Sequence, residues 1–315
     1  AGFNMARALL MYEDETPVDG PEDIWYSLHE EGPLVLGEGW CRTAVVDACS
    51  RLNVNTADAE MLVAFFKDPA VADAIAAWRN EHGPYQSLGD LALLPGIDQE
   101  YIAPYSALLT VESLESNRSV GGKQRININT ADNSYMTTML KITPGEAQAM
   151  LRYRRTLPQT VFSSRGQLLH VPLPKSVVQR IFDQITVSDA EYLSGRVNLN
   201  TAPKEVLLAL PGISPQLVET LISRRSEEDG VLRSPAELLD MPGMTTEDFV
   251  ALSEHVCTKS STFIIEAHAG LNRRPATRTL QGLVLRQEGP VAPLLYGWSE
   301  RPRPTYIPVA SDNRG

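Results

Sequence analysis

The side chains that usually carry chemistry are few in this sequence, and they stand at spacings that do not assemble a known site. Five histidines, His29, His82, His170, His255 and His268, are scattered over 315 residues. None belongs to an HExxH arrangement, which would put two imidazoles on one helix face. No GxSxG elbow and no GxxxxGK[ST] loop occurs, so a serine nucleophile or a phosphate cradle of those kinds is not offered. His268 stands between two alanines in an alternating segment and reads as ordinary sheet surface. The cysteines, Cys41, Cys49 and Cys257, show no CxxC or Cys/His spacing for zinc. Cys41 and Cys49 are eight positions apart. A disulfide between them in an oxidising compartment and free buried thiols are both open. Acidic clusters at Glu13-Asp14-Glu15 and Glu227-Glu228-Asp229 offer hard oxygen ligands. Glu227, Glu228 and Asp229 are therefore candidates for calcium, although neither cluster has EF-hand spacing and a solvated acidic loop is the plainer reading. No other cofactor is expected, and no residue set supports an enzyme.

Polar residues of another kind recur. Arg51-Leu52-Asn53-Val54-Asn55-Thr56-Ala57 returns as Arg125-Ile126-Asn127-Ile128-Asn129-Thr130-Ala131 and as Arg196-Val197-Asn198-Leu199-Asn200-Thr201-Ala202, at offsets of 74 and 71 residues. Such regular recurrence marks an internal repeat. The alternation predicts a short strand, cut off and fed into a helix. Asn55-Thr56, Asn129-Thr130 and Asn200-Thr201 are read as the caps of those helices. Further on come Leu94-Pro95-Gly96-Ile97, Leu210-Pro211-Gly212-Ile213 and Met241-Pro242-Gly243-Met244. Gly96, Gly212 and Gly243 supply positive φ for tight turns. Helix, Pro-Gly turn, helix is the helix-hairpin-helix pattern, with two hairpins in each of three units, about 51–112, 125–187 and 196–257.

In that pattern backbone N–H groups at the turn and at the next helix N-terminus can hold a phosphate. Here the turn glycine is replaced at Lys67, Lys141 and Leu173. Two residues past the retained glycines stand Asp98, Ser214 and Thr245, and Asp98 would repel a phosphate. The formal net charge is −11, and residues 51–257 hold 18 Lys and Arg against 25 Asp and Glu. This balance opposes nonspecific attraction to nucleic acid or anionic membrane. Residues 118–180 differ, with ten basic residues and only Asp132 and Glu146. Charge alternating from unit to unit suits packing of units, or a protein partner, better than a continuous phosphate track.

Other elements must position these units. Residues 1–12 predict a helix with Phe3, Ala6, Leu9 and Leu10 on one face. No N-cap precedes it and the chain begins at Ala1 without methionine, so it reads as the tail of a longer helix. Leu34-Val35-Leu36 and Trp40 to Val46 read as strands, as do Thr262 to Ala269, Thr277 to Arg286 and Val291 to Trp298. Ser113–Gln124 and Ser188–Gly195 read as linkers, and 300–315 as a loose Pro-rich tail. No run of 18 apolar residues occurs. The expected fold is α+β: a sheet-forming domain split between 1–50 and 258–299, interrupted by a helical insertion at 51–257.

The run from Ile24-Trp25 through Trp40-Cys41-Arg42 and Val45-Val46-Asp47 to Arg51-Leu52-Asn53-Val54-Asn55 resembles the K-type minor pseudopilins of the type II secretion system (general secretion pathway protein K). Phe263 to Ala269 and Arg278 to Arg286 resemble that family's closing strands, so the resemblance covers most of the chain. It implies a pilin-like fold, a long N-terminal helix on an antiparallel sheet with helices inserted. It also implies a structural protein, not an enzyme, at the tip of a secretion pseudopilus, assisting assembly and protein export. The implied partners are I- and J-type minor pseudopilins. The implied location is the periplasmic face of the bacterial inner membrane, reached through an N-terminal helix absent from this chain. On this reading Phe3, Ala6, Leu9 and Leu10 form the face that packs against partner helices. Residues 51–257 also resemble competence-type DNA-uptake proteins, which share the Asn-Thr-Ala and Pro-Gly-Ile wording. That alternative, with phosphate contacts at Gly96, Gly212 and Gly243, leaves the flanking strands unexplained.

Overall fold

A computed structural model describes residues 1–12, 17–227, 229–272, 274–287, 289 and 291–301. The chain opens with helix α1 (Gly2–Tyr12) and the single turn α2 (Ile24–Ser27), then forms a hairpin of β1 (Leu34–Leu36) and β2 (Gly39–Asp47). Along β2 the residues Cys41, Thr43, Val45 and Asp47 face inward, the period-two pattern of a half-buried strand. The first unit follows as β3 (Leu52–Asn53), α3 (Ala59–Phe66), α4 (Pro69–His82), α5 (Gln99–Ile102) and β4 (Leu109–Thr110). After β5 (Leu114–Ser116) comes the second: β6 (Ile126–Asn127), α6 (Asn133–Leu140), α7 (Pro144–Arg154), α8 (Lys175–Ile181) and β7 (Ile185–Thr186). After β8 (Tyr192–Ser194) comes the third: β9 (Val197–Asn198), α9 (Lys204–Leu207), α10 (Pro215–Arg225), α11 (Thr246–Leu252) and β10 (Val256–Cys257). Then β11 (Thr262–Leu271), β12 (Arg274–Leu285) and β13 (Leu294–Arg301) return to the sheet.

That sheet is antiparallel in the order β1-β2-β11-β12-β13. Its centre is the pairing of β2 with β11, from Asp47 opposite Phe263 to Gly39 opposite Leu271. The fold is therefore α+β, with a helical head inserted between two adjacent strands. Helix α1 lies on the sheet and buries Phe3, Ala6 and Leu10 with Trp25, Val45, Phe263, Ile265 and Val284. The approach is close: a Cβ at Gly282 would stand 2.6 Å from the Phe3 ring.

This packing corrects the assignment of Phe3, Ala6, Leu9 and Leu10 to a partner. Phe3, Ala6 and Leu10 are buried within the chain's own core, and Leu9 packs half-buried beside it. A single amphipathic helix on a sheet has to spend its apolar stripe there. The Cys41–Cys49 disulfide is also corrected. All three cysteines are free and buried. Cys41 and Cys49 lie near opposite ends of β2, and at about 3.3 Å per residue an extended strand keeps them far beyond the roughly 4–7 Å Cα separation a disulfide needs.

Each repeat unit closes on itself by a two-residue parallel pair of its first and last strands. Leu52 and Asn53 face Leu109 and Thr110, Ile126 and Asn127 face Ile185 and Thr186, and Val197 and Asn198 face Val256 and Cys257. The first and third units share one apolar core, which also takes in Phe182; the second has a core of its own. The two segments expected to be linkers pair with each other, Leu114–Ser116 against Tyr192–Ser194. They are held to the sheet as well, Leu114 N donating to Thr262 Oγ1 and Ser116 N to Ser261 Oγ, both at 2.9 Å. The tail assigned to 300–315 lies, beyond Arg301, outside the described residues.

Candidate functional site

The repeated Asn residues are not helix caps. Helices α3 and α6 are capped by Asp58 and Asp132, whose carboxylates accept from Met61 N and Tyr135 N. Before α9 stands Pro203, with no side-chain cap. A cap needs only an acceptor, whereas a primary amide both donates and accepts, and the structure uses both functions. Asn55 Nδ2 donates to Tyr85 O and Val111 O, while its Oδ1 accepts from Tyr85 N. Asn129 does the same with Phe162 and Val187, and Asn200 with Leu232. The preceding Asn of each motif holds the bend, its Oδ1 accepting from the N–H of Asn55, Asn129 or Asn200 at 2.9, 2.9 and 3.0 Å. The threonines turn back likewise: Thr56 and Thr130 reach Asn53 O and Asn127 O, and Thr201 donates to Asp47 Oδ2 at 2.6 Å.

A third device completes each unit. Arg79 Nη1 donates to Val54 O and Ala57 O, Arg154 Nη1 to Ile128 O and Asn129 O, and Arg225 Nη1 to Leu199 O and Ala202 O. These guanidiniums sit on α4, α7 and α10 and clamp the bend where strand becomes helix. The sequence shows an Arg about 28 or 29 residues after the start of each motif, a signal legible only once the bend is known to carry unpaired carbonyls.

Where the units meet, buried ions gather. Glu115 of β5 accepts from Arg125 Nη2 and Arg196 Nη1, each at 2.7 Å. Arg125 also reaches Asp183 at 3.1 Å, and Arg196 binds Glu254. Glu254 in turn accepts from Arg165 Nε at 3.0 Å and Arg165 N at 2.9 Å. The Arg165 guanidinium lies 4.4 Å over the Phe182 ring. Burial alone would raise Glu254, but Arg165 and Arg196 outweigh it and hold the carboxyl down at about 2. Burial pushes Arg165 down to about 10, with Arg196 adding to the effect. Arg125 and Arg196 come from repeat motifs two and three. The first motif's Arg51 is also buried, and burial lowers its pKa against the opposing charges of Glu266 and Asp47.

At the neck, where head meets sheet, another buried carboxylate is held by neutral hydrogen-bond donors. Asp47 accepts from Cys49 N at 2.7 Å, Asn198 Nδ2 at 2.9 Å, Thr201 Oγ1 and Ser260 Oγ at 2.9 Å. Burial, with the Asp19 charge adding, raises its pKa to about 6 against those hydrogen bonds. Asp19 itself is paired with Arg286 at 2.7 Å and accepts from Ser260 N.

The hairpin turns do adopt left-handed φ: +79° at Gly96, +68° at Gly212 and +90° at Gly243. Lys67 and Lys141 take the same conformation, at +57° and +53°, so the chain keeps the turn after losing the glycine. As phosphate sites the turns are poor. The helix after Gly96 is capped by the Asp98 carboxylate and carries Glu100 in its first turn. The helix after Gly243 carries Glu247 and Asp248. Gly212 is packed against α11, where a Cβ would stand 2.4 Å from Asp248 O. At least five of the ten basic residues of 118–180 are engaged by partners within the chain: Arg125 and Arg165 in the buried network, Arg154 in its clamp, Arg180 on Leu140 O, and Lys175 on Asp240 in an exposed pair.

Among the described residues no three His, Cys, Asp or Glu side chains are grouped to hold a metal ion. Of the calcium candidates, Glu228 lies outside the described residues, and Asp229 N donates to Glu22 Oε1. His29 lies 4.0 Å from Glu30, His268 Nδ1 is 2.9 Å from Thr279 Oγ1, and burial pushes His255 down.

A family model described as type II secretion system protein K matches residues 197–257, the third unit. A helix-hairpin-helix motif model matches residues 47–110, the first. Among solved structures the chain is similar to a chain of the GspK–GspI–GspJ complex from the type 2 secretion system of enterotoxigenic Escherichia coli. The two are 14% identical, the match covers 94% of this chain and 92% of that one, and the TM-score is 0.47. No curated protein matches. The K-type resemblance read from the sequence is thus met by a family model over the third unit.

Proposed function

We propose that this chain is a K-type minor pseudopilin: a non-enzymatic structural protein at the tip of a type II secretion pseudopilus. It assists assembly and protein export beside I- and J-type minor pseudopilins, at the periplasmic face of the bacterial inner membrane. The observation that carries this reading is architectural. A short helix lies along an antiparallel sheet, and a bulky head enters between two adjacent strands of that sheet. The family match over the third unit supports it, and so does a head whose polar residues are spent on internal joints. No helix of the described residues is long and apolar enough to cross a membrane. With the inner face of α1 occupied, lateral contact belongs to its outer residues, such as Met5 and Tyr12, and to the exposed Leu34, Val35 and Leu36 of edge strand β1. Exposed apolar edge residues are unusual in a protein that works alone.

The test is co-expression of the full native chain with its organism's I- and J-type minor pseudopilins. Co-elution as one complex is expected, with Val35→Asp weakening it while the far-UV spectrum stays unchanged. The rival reading, a helix-hairpin-helix DNA-binding protein, predicts the reverse. Micromolar affinity for duplex DNA that falls steeply with salt, without co-elution, would replace the pseudopilin.

A further inference from the structure

Cys49 and Cys257 stand at the two ends of the inserted head. Cys49 lies in the 3-10 turn Ala48–Ser50 directly after β2, and Cys257 ends β10 shortly before β11. One carboxylate fixes both places. Asp47 Oδ1 accepts from Cys49 N at 2.7 Å. Asp47 Oδ2 accepts from Asn198 Nδ2, and Asn198 is the parallel partner of Cys257. Ser260, three residues past Cys257, donates to the same oxygen. The Cys49 thiol donates to Leu114 O at 3.4 Å, it neighbours the Cys257 thiol and helps to raise it, and both residues are fully buried. Cys41 sits elsewhere, its sulfur 3.8 Å from Thr43 Oγ1.

We propose that Cys49 and Cys257 form a disulfide, closing the base of the head into a covalent ring of residues 49–257. The oxidant is an exchangeable disulfide such as oxidised glutathione. One cysteine thiolate attacks it, forming a mixed disulfide and releasing one thiol. The second thiolate attacks the protein sulfur of that mixed disulfide and releases the other thiol. One protein S–S bond forms as one external S–S bond is reduced, and the two cysteine protons end on the released thiols. Burial pushes the Cys257 thiol well up, and solvent reaches neither residue in the folded chain. Exchange therefore belongs to folding, before the neck closes, and the finished bond is shielded from reductant afterwards. This inference does not depend on the pseudopilin reading, since it requires only oxidising conditions during folding.

The experiment is to refold the purified chain in a glutathione redox buffer, alkylate it in denaturant without reduction, and map its peptides by mass spectrometry. The expected result is a linked peptide pair carrying Cys49 and Cys257, with Cys41 the single alkylated cysteine. Glutathione added as reductant to the native protein should leave the link intact, and the same treatment in denaturant should open it. Cys257→Ser should leave Cys41 and Cys49 both alkylated. Three alkylated cysteines in the refolded wild-type chain, or a bridge that includes Cys41, overturns the proposal. As no partner or nucleic acid enters the measurement, its outcome is separate from that of the co-expression test.

Discussion

The first and third units are fused, whereas the second is docked. Between the first and third the apolar core is continuous, with Leu52, Phe65 and Leu91 in one cluster with Val197, Leu221 and Phe249. Gly195 presses on Thr56 so closely that a Cβ there would fall 2.0 Å from the hydroxyl oxygen. The second unit keeps its own core, from Ile126 to Ile185. It meets the third through Arg165–Glu254, Ser164 Oγ to Ser253 Oγ at 2.6 Å, Lys175–Asp240 and Gln179–Asp240, with Phe182 as its apolar foothold. An apolar seam gains free energy with little demand on angle. A seam of buried ions gains little, because desolvation consumes most of the attraction, but any other orientation strands a charge. The same repeat has thus been joined once for stability and once for a fixed angle.

The largest effect is expected from Arg196→Met, which strips one cation from between Glu115 and Glu254. Leaving buried carboxylates under-paired costs about 3–5 kcal/mol, readable as a fall in the urea midpoint. Limited proteolysis should then open the second unit before the other two. A loss below about 1 kcal/mol would mean that the ions do not hold the joint.

Next comes pH. Glu254 is depressed, so its contribution is complete above the ordinary carboxylate range near 4.5 and is lost as pH falls through about 2. Asp47 is raised, so its contribution is complete below 3.8 and lost as pH rises through about 6. Each shift spans roughly two pKa units, or about 3 kcal/mol. Stability should therefore climb as pH drops from 7 towards 4 and collapse below it. Asp47→Asn should remove the climb and spare the collapse. A stability curve flat between pH 4 and 7 would contradict the Asp47 assignment.

Packing inside the third unit, the apolar partner in that seam, is probed by Gly212→Ala. The added Cβ meets the Asp248 backbone, and φ is +68°, so about 2–3 kcal/mol should be lost without the pH profile changing. Asn129→Ala should cost about 1–3 kcal/mol by leaving Phe162 N and O unpaired. The smallest change is a gain: Lys67→Gly relieves a left-handed lysine and should raise the denaturation midpoint by the equivalent of about 1 kcal/mol.

Much of the scaffold was legible because it rests on local pattern. Asn-x-Asn at fixed offsets located three units, and the alternation at 262–269 and 277–286 located two strands. Function of the polar residues was less legible. Asn55 resembles a cap by type, yet its partners lie 30 and 56 positions away at Tyr85 and Val111. Glu115 stands in a segment that reads as a linker, and nothing local marks it as the carboxylate shared by two arginines. Charge counting assigned the ten basic residues of 118–180 to packing of units or to a protein partner, and Arg125 and Arg165 are indeed buried where units meet, but the count does not say which of the ten they are. Sequence spacing reports faces of elements; it does not report which distant segment a polar group will meet.

The split sheet also sets a timetable. Asp47 and its partner Phe263 are 216 positions apart. At about 5–20 residues per second of synthesis, β2 emerges roughly 10–40 s before the strand that completes it. During that interval a strand with inward-facing Cys41, Val45 and Asp47 has only α1, α2 and the short β1 beside it, while the head can already assemble from contacts within each unit. The last event in folding is then the closure of the neck, so any factor that handles this chain early in its life meets a finished head on an unfinished stalk.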